Sequence, residues 1–377
     1  MDHLTSLRHR LHSRPELSHR EESTAAELQH FLKSLNSGEL VTGLGGNGLA
    51  LALAGAETGP RVLVRADMDA LPIPDSIDAD YASGKHGIGH KCGHDGHMAI
   101  LCGVAEKLAA SPPNAGEAVL LFQPAEETGE GAALVLADPA FRRFLPDRAY
   151  ALHNLPGFPQ GSVVVREGCF ASASRGMVVE LHGESAHAAQ PHLARGPALA
   201  VARLITGMAS LPQTATALHE PSKATVIHAR LGSEAFGTTP GEAVVMATLR
   251  TWSEGVMDRL VEDAVRLAHS AAEPAGLEVR ISWKQEFPAT VNDADAAECA
   301  AAAAECMGLD VARPTRPFPW SEDFGHFTGR FGGALFGLGA GEDHAPLHSS
   351  TYDFPDGLIP IGVDLLEDLL RRSLAGG

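Results

Sequence analysis

Cysteine is scarce in this chain: Cys92, Cys102, Cys169, Cys299 and Cys306 are the only five among 377 residues. Their odd number and wide spacing argue against a disulfide framework and predict reduced thiols. Long apolar runs are missing too. None approaches the roughly 18 residues that a membrane-spanning helix needs. The opening MDHLTSLRHRLHSRPELSH has neither the apolar stretch nor the small-residue cleavage site of a signal peptide. The expectation is a cytoplasmic protein with no membrane partner. Basic residues are in deficit, with 29 lysines and arginines against 47 aspartates and glutamates, a net charge of −18. Such a field repels phosphate backbones, so nucleic acid is not an expected partner. No repeat at a solenoid period and no low-complexity tail is present.

What is there is an ordinary globular composition, 44% hydrophobic and 20% charged. At roughly 150 residues per domain, the length predicts two or three domains. Residues 21–35 place Ala25, Leu28, Phe31, Leu32 and Leu35 at three- and four-residue spacings, the stripe of an amphipathic helix. Short apolar runs at 49–54, 61–66, 117–122 and 148–152 read as strands. Residues 95–108 read as a helix with Asp95 as its N-cap. This alternation predicts an α/β domain with a mixed, partly parallel sheet. From about residue 175 the order becomes strand, helix, strand, strand, helix, strand, a ferredoxin-like βαββαβ arrangement. An alanine-rich helix at 293–307, a glycine-rich loop at 330–341 and a helix at 358–370 then complete the first domain. The predicted boundaries are 1–174 with 286–377 for the α/β domain and 175–285 for the insert.

Residues 86–97 read HGIGHKCGHDGH, crowding His86, His90, Cys92, His94, Asp95 and His97 into twelve positions. Thiolate, imidazole and carboxylate are the ligands of borderline divalent metals, and the glycine between Cys92 and His94 permits the tight turn that lets both donors converge. Glu126 and Glu127 follow the strand ending at Phe122, at the carboxyl end where open α/β sheets build their sites. Two neighbouring acids there can divide the work, one binding metal and one moving a proton. His153 ends another strand, and His348 follows the glycine-rich loop. Asp67 and Asp69 close the strand RVLVRA. Cys92, His94, Glu127, His153 and His348 make five candidate ligands, more than a closed four-coordinate zinc site uses, which points to two metals and to hydrolysis.

Taken together, ADMDALP, HKCGHDGH, QPAEETGEGA, LHNLPG, GESAHAAQPH, ATLRT and PLHSSTYDF resemble the metallo-exopeptidase and aminoacylase superfamily, peptidase family M20. The cysteine-containing version is similar to its amidohydrolase branch of hippurate hydrolases, N-acyl-amino-acid deacylases and auxin-conjugate hydrolases. The resemblance runs along nearly the whole chain. It implies a catalytic domain binding two divalent ions, zinc or manganese with cobalt or nickel as further options. It also implies an inserted lid through which such proteins form homodimers or higher homo-oligomers. By the same resemblance Cys92 bridges both metals, and His94, Glu127, His153 and His348 complete their shells. Glu126 matches the general base that takes a proton from the metal-bridging water, and His187 the lid histidine that stabilises the oxyanion. Asp69 supports the metal site from behind it, and Arg250 matches an arginine that recognises the substrate carboxylate. Asp67, where other branches carry a metal-binding histidine, is expected not to ligate here.

The implied activity is hydrolysis of an N-acyl amino acid, N-acetyl, N-aroyl or a similar conjugate. A dipeptidase or carboxypeptidase acting at the same site, or a non-catalytic binding homologue, are the alternatives. The chain departs from the family pattern where A-x-N-x-I-P-D is replaced by Ala235-Phe236-Gly237-Thr238-Thr239-Pro240-Gly241. Gly237 then lacks an amide that helps hold substrate in the family. A second departure, Arg14 at the head of Arg14-Pro15-Glu16-Leu17 where the family carries histidine, has no interpretation.

Overall fold

Four parallel strands form the centre of the molecule's larger sheet, and their burial explains the unbroken apolar runs. In the computed structural model, which describes residues 1–375, Glu57–Asp67 pairs in parallel with Ala115–Gln123 on one side and Arg148–Pro156 on the other. Arg148–Pro156 in turn pairs in parallel with Gly333–Gly341. From Val62 to Asp67 and from Ala118 to Gln123 every residue is buried, as expected of parallel strands covered on both faces. Gly48–Ala54 joins Ala115–Gln123 in antiparallel fashion and carries Glu39–Leu44 at the edge, and two short strands at 163–164 and 311–312 complete a mixed sheet of eight strands.

Contacts divide the chain into two compact units. The first comprises Met1–Phe170, Thr290–Pro317 and the residues from Glu322 onward. The second comprises Ala171–Ala289 with Phe318–Ser321. The second unit is a four-stranded antiparallel sheet in the order Glu278–Phe287, Ala173–His182, Glu242–Thr251, Ser222–Leu231, accompanied by helices Ala198–Ala215 and Glu254–Ala272. Glu242–Thr251 alternates buried and half-exposed residues along its length, the period of a sheet covered on one face. Its chain order is the expected βαββαβ.

Two expectations are corrected. The glycine-rich segment before His348 is the buried strand Gly333–Gly341 and not a loop. A Cβ on Gly337 would stand 2.1 Å from the Leu155 side chain, so glycine lets this strand seat against Arg148–Pro156, at the expense of the β-branched signature that marks strands. Asp95 does not cap its helix. That helix is His94–Ala110, it follows Gly93 in the left-handed region (φ 91°), and no side chain caps it. Asp95 lies inside the first turn, where its Oδ2 accepts from His12 Nδ1 at 2.8 Å and from Arg8 at 3.3 Å.

Arg8 and His12 come from the first helix, Asp2–Ser13, which places both on its buried face with Leu4, Leu7 and Leu11. The Nε2 of His12 meets Asp75 at 3.0 Å, so a carboxylate faces each ring nitrogen. Among the described residues no helix is long and apolar enough to cross a membrane.

Burial works against charge on His12, but Asp95 raises its pKa above 6.5. The stability it contributes is therefore complete below about pH 6.5 and is lost as pH rises through the raised folded-state value. Asp95 is shifted the other way: burial opposes its charge, but His12 and Arg8 hold it below the usual carboxylate range, so its share is lost only in acid. His12→Gln should cost about 3 kcal/mol at pH 5.5, the scale of a broken buried ion pair. That difference should shrink steadily as the pH is raised, measured by urea unfolding. A difference that stays flat with pH would contradict it.

Candidate metal centre

The parallel strands end at one edge of the sheet, and that edge gathers the polar residues. Register puts Asp67 beside Gln123 and His153 beside Gly337, so Asp69, the Glu126–Glu127 turn and His153 all emerge there. The helix His94–Ala110 starts at the same edge and delivers Cys92 and His94. Gly93 between them is required twice: it adopts φ 91°, and a Cβ would fall 2.2 Å from Asn154 Oδ1.

Possible metal ligands form two groups that share Cys92. One is Cys92, His94 and His153; the other is Cys92, Glu127 and His348. In each the donor atoms lie within 4.8 Å of one another. Cys92 Sγ is 3.5 Å from His153 Nε2, and Glu127 Oε1 is 3.9 Å from His94 Nε2 and 3.8 Å from His348 Nε2. All five candidate ligands therefore converge within the first unit. His348 stands at the rim with half of its side chain exposed, and the other four are buried or nearly so.

The orientation of each donor is set by a hydrogen bond at its other end. His94 Nδ1 is 2.9 Å from the Asp69 carbonyl oxygen and donates to it, turning Nε2 toward the centre. His153 Nδ1 donates to Asn154 O at 2.8 Å, and its Nε2 faces Cys92. Asp69 holds the acidic pair: its Oδ1 accepts from Glu126 N–H at 3.1 Å and its Oδ2 from Glu127 N–H at 3.0 Å and Ser18 Oγ at 2.6 Å. Ala125, just before them, has φ 53° and His348 has φ 64°, a left-handed conformation that costs non-glycine residues about 1–3 kcal/mol and collects at functional sites.

Among the described residues His94 Nε2 and Glu127 Oε1 are buried without a hydrogen-bond partner, although each is the kind of group whose burial demands one. A divalent cation is the partner that fits a thiol, imidazoles and a carboxylate together. The electrostatics agree. Burial, Glu127 and Glu126 push the Cys92 thiol up, and burial with Glu322 and Glu127 raises Glu126. Burial opposes charge on His94, but Asp67 and its acidic neighbours lift it to about 10. A pocket this rich in acids favours positive charge.

Asp67, His94 and His97 form a further triple of potential donors, but two of its members are already committed. Asp67 Oδ1 takes the Nδ1 proton of His97 at 2.6 Å and its Oδ2 accepts from Arg65 at 2.6 Å, while His97 Nε2 accepts from Asn154 N–H at 3.2 Å. They act as a brace: the His97 ring packs edge-on against His153, 4.9 Å between centroids.

His187 and Arg250 belong to the second unit. His187 Nδ1 accepts from Ala189 N–H at 3.1 Å, so in the neutral ring the proton sits on Nε2, ready to donate. Arg250 donates to Pro319 O at 3.0 Å and Ser321 Oγ at 2.8 Å. Gly237 has open space around it, whereas a Cβ on Gly241 would meet Ser185 N at 2.8 Å. Reasoning from sequence missed Arg65, Glu322 and Asp323. The signals were present: an arginine inside an otherwise apolar strand, and two acids set between aromatic residues in WSEDF.

Residues 63–372 match the family model described as Peptidase family M20/M25/M40. The chain belongs to this family and is a hydrolase acting on amide C–N bonds. It is 31% identical over 342 residues to N-acetyl-L-cysteine deacetylase of Bacillus subtilis, covering 90% of this chain and 81% of that one. It is 29% identical over 357 residues to hippurate hydrolase of Campylobacter jejuni, covering 94% and 92%. Its fold is that of the YXEP protein of Bacillus subtilis, a dinuclear metal-binding peptidase of the M20 family, with a TM-score of 0.83 at 24% identity over 99% and 98% of the two chains.

Replacing Asp69 by asparagine turns one acceptor facing the Glu126 and Glu127 amides into a donor. Metal affinity of Asp69→Asn should fall about 10- to 100-fold, the scale set by such supporting residues, in a competition titration against a chromogenic chelator. Unchanged affinity would remove Asp69 from this role.

Proposed function

We propose that the protein hydrolyses N-acyl amino acids, releasing a carboxylic acid and a free amino acid. The observation that carries this reading is the sharing of Cys92 by two donor groups, with Glu126 outside both but within the same reach of His94 and Glu127. Cys92, His94, Glu127, His153 and His348 would hold two divalent ions, zinc or manganese by donor chemistry. Bound there, the ions supply Lewis acidity and lower the pKa of water. Glu126 takes the proton of the attacking water as its oxygen bonds to the amide carbon. It then delivers that proton to the nitrogen as the C–N bond breaks, so the amino acid leaves as a neutral amine.

Burial beside Glu322 and Glu127 raises the proton affinity of Glu126, which suits a group that must take a proton from water. The Nε2–H of His187 is the donor for the developing oxyanion. Arg250 serves the substrate carboxylate, exchanging its bonds to Pro319 and Ser321 for a bidentate pair. At Gly237 no side chain narrows the space, which favours a bulky acyl or amino-acid portion. The second unit acts as the lid and as the homodimer surface. Its edge strand Ser222–Leu231, largely exposed, with Ile227 61% accessible, offers an unpaired rim for a second copy.

Assay against N-acetyl, N-benzoyl and longer acyl amino acids, with dipeptides alongside, tests the substrate class. Free amino acid should appear from the acylated compounds with added Mn²⁺ or Zn²⁺ and vanish after chelation. Glu126→Gln should lower kcat by about 10²- to 10⁴-fold with bound metal unchanged. Turnover surviving in Glu126→Gln, or product formed only from dipeptides, would contradict the proposal.

A further inference from the structure

Arg65 is 2% exposed near the carboxyl end of the parallel strand Glu57–Asp67, and its guanidinium meets four side chains. Its Nε donates to Gln123 Oε1 at 3.0 Å and one terminal nitrogen to Asp67 at 2.6 Å. The other terminal nitrogen reaches Glu322 Oε1 and Asp323 Oδ1, both at 2.8 Å. Asp323 is held further by Ala132 N–H at 2.8 Å and by Gln123 Nε2 at 2.9 Å, and Glu322 Oε1 accepts from Phe324 N–H at 3.2 Å. Carboxylate oxygens of Glu126, Glu322 and Asp323 lie within 4.8 Å of one another.

This cluster sets four acids, Asp67, Glu126, Glu322 and Asp323, against one guanidinium in a fully buried position. As scaffolding it is a poor choice, because apolar residues of similar volume are often neutral or stabilising in place of buried charge. Asp67 is accounted for by His97, and Asp323 by the Ala132 amide and Gln123. Glu322 takes hydrogen bonds from the Arg65 guanidinium and the Phe324 amide and lies beside the Glu126 carboxyl, with His153 also in electrostatic reach. We infer that Glu322, gripped by Arg65, is a positioning residue that fixes the direction of the Glu126 carboxyl. The inference rests on Glu126 being the general base. A base must sit within about 2.6–3.2 Å of the proton it takes, and misplacement by 1 Å costs on the order of 100-fold. The turn carrying Glu126 is anchored through backbone amides, those of Glu126 and Glu127 on Asp69 and that of Ala125 on Glu21, so the Glu126 side chain needs a restraint of its own.

The test is Glu322→Met, which keeps the volume and removes the carboxylate, with Glu322→Gln as the partial substitute that keeps the shape and one acceptor for Arg65. Glu322→Met should lower kcat at least about tenfold with KM and metal stoichiometry within twofold of wild type. Its melting temperature should be unchanged or higher, and Glu322→Gln should fall between the two. A crystal structure of Glu322→Met should find the Glu126 carboxyl turned away from its wild-type direction. A Glu126 that keeps its direction there overturns the inference whatever the activity. So do a kcat within threefold of wild type, a loss of kcat matched by loss of metal, or Glu322→Gln as the worse of the two. Should Glu322→Met fail to fold, Arg65→Lys, which keeps the charge but grips fewer acids, is judged by the same criteria. If wild type and Glu126→Gln turn over equally, the reading of Glu126 itself fails, an outcome that is distinct from active Glu322→Met beside inactive Glu126→Gln.

Discussion

A buried surplus of negative charge at one edge of a parallel sheet is the constraint to which this structure answers. Asp67, Asp69, Glu126, Glu127, Glu322 and Asp323 meet there with the Cys92 thiol, and Arg65 is the one side chain among them with a permanent positive charge. Such a concentration of like charge out of water is costly unless hydrogen bonds and cations compensate it. The fold supplies the hydrogen bonds, from the Glu126 and Glu127 amides, from Ser18 and from His97. Divalent ions supply the rest in the proposed working state.

This constraint explains why structure far from the chemistry is also polar. Behind the helix that delivers Cys92 and His94, Asp95 is tied to the first helix through His12 and Arg8, and Arg8 reaches Asp353 at 2.6 Å in the segment following His348. Lys91, beside Cys92, bonds to Asp75 and to Tyr352 O, and His348 N–H donates to Lys91 O at 2.7 Å. The N-terminal helix, the cysteine loop and the last ligand are thereby linked by charged and hydrogen-bonded contacts, each buried on at least one side. Rigid support of this kind is what keeps donors from distant stretches in register for a metal.

Much of this was legible in the residues. The density of donors in HGIGHKCGHDGH and the acids after Phe122 marked the centre because such groups rarely crowd the carboxyl ends of buried strands without a task. The βαββαβ order of the second unit followed from alternation and spacing. What was not legible had physical reasons. The strand Gly333–Gly341 hides its identity because close packing against Leu155 demands glycine where strands normally show branched residues. Asp95 imitates an N-cap in sequence, but its carboxylate is drawn to His12 and Arg8 by a tertiary contact that no local rule contains. Glu322 and Asp323 lie about two hundred residues from Gln123, and only the folded chain brings them to Arg65.

The central claim is that one sulfur serves two cations. X-ray absorption at the metal edge, on protein loaded with zinc, measures it directly. Two ions per chain are expected, with a sulfur scatterer at about 2.3 Å from each and a metal–metal vector of about 3.5–4 Å. A single ion per chain, or a first shell of nitrogen and oxygen alone with Cys92 still present, would contradict it.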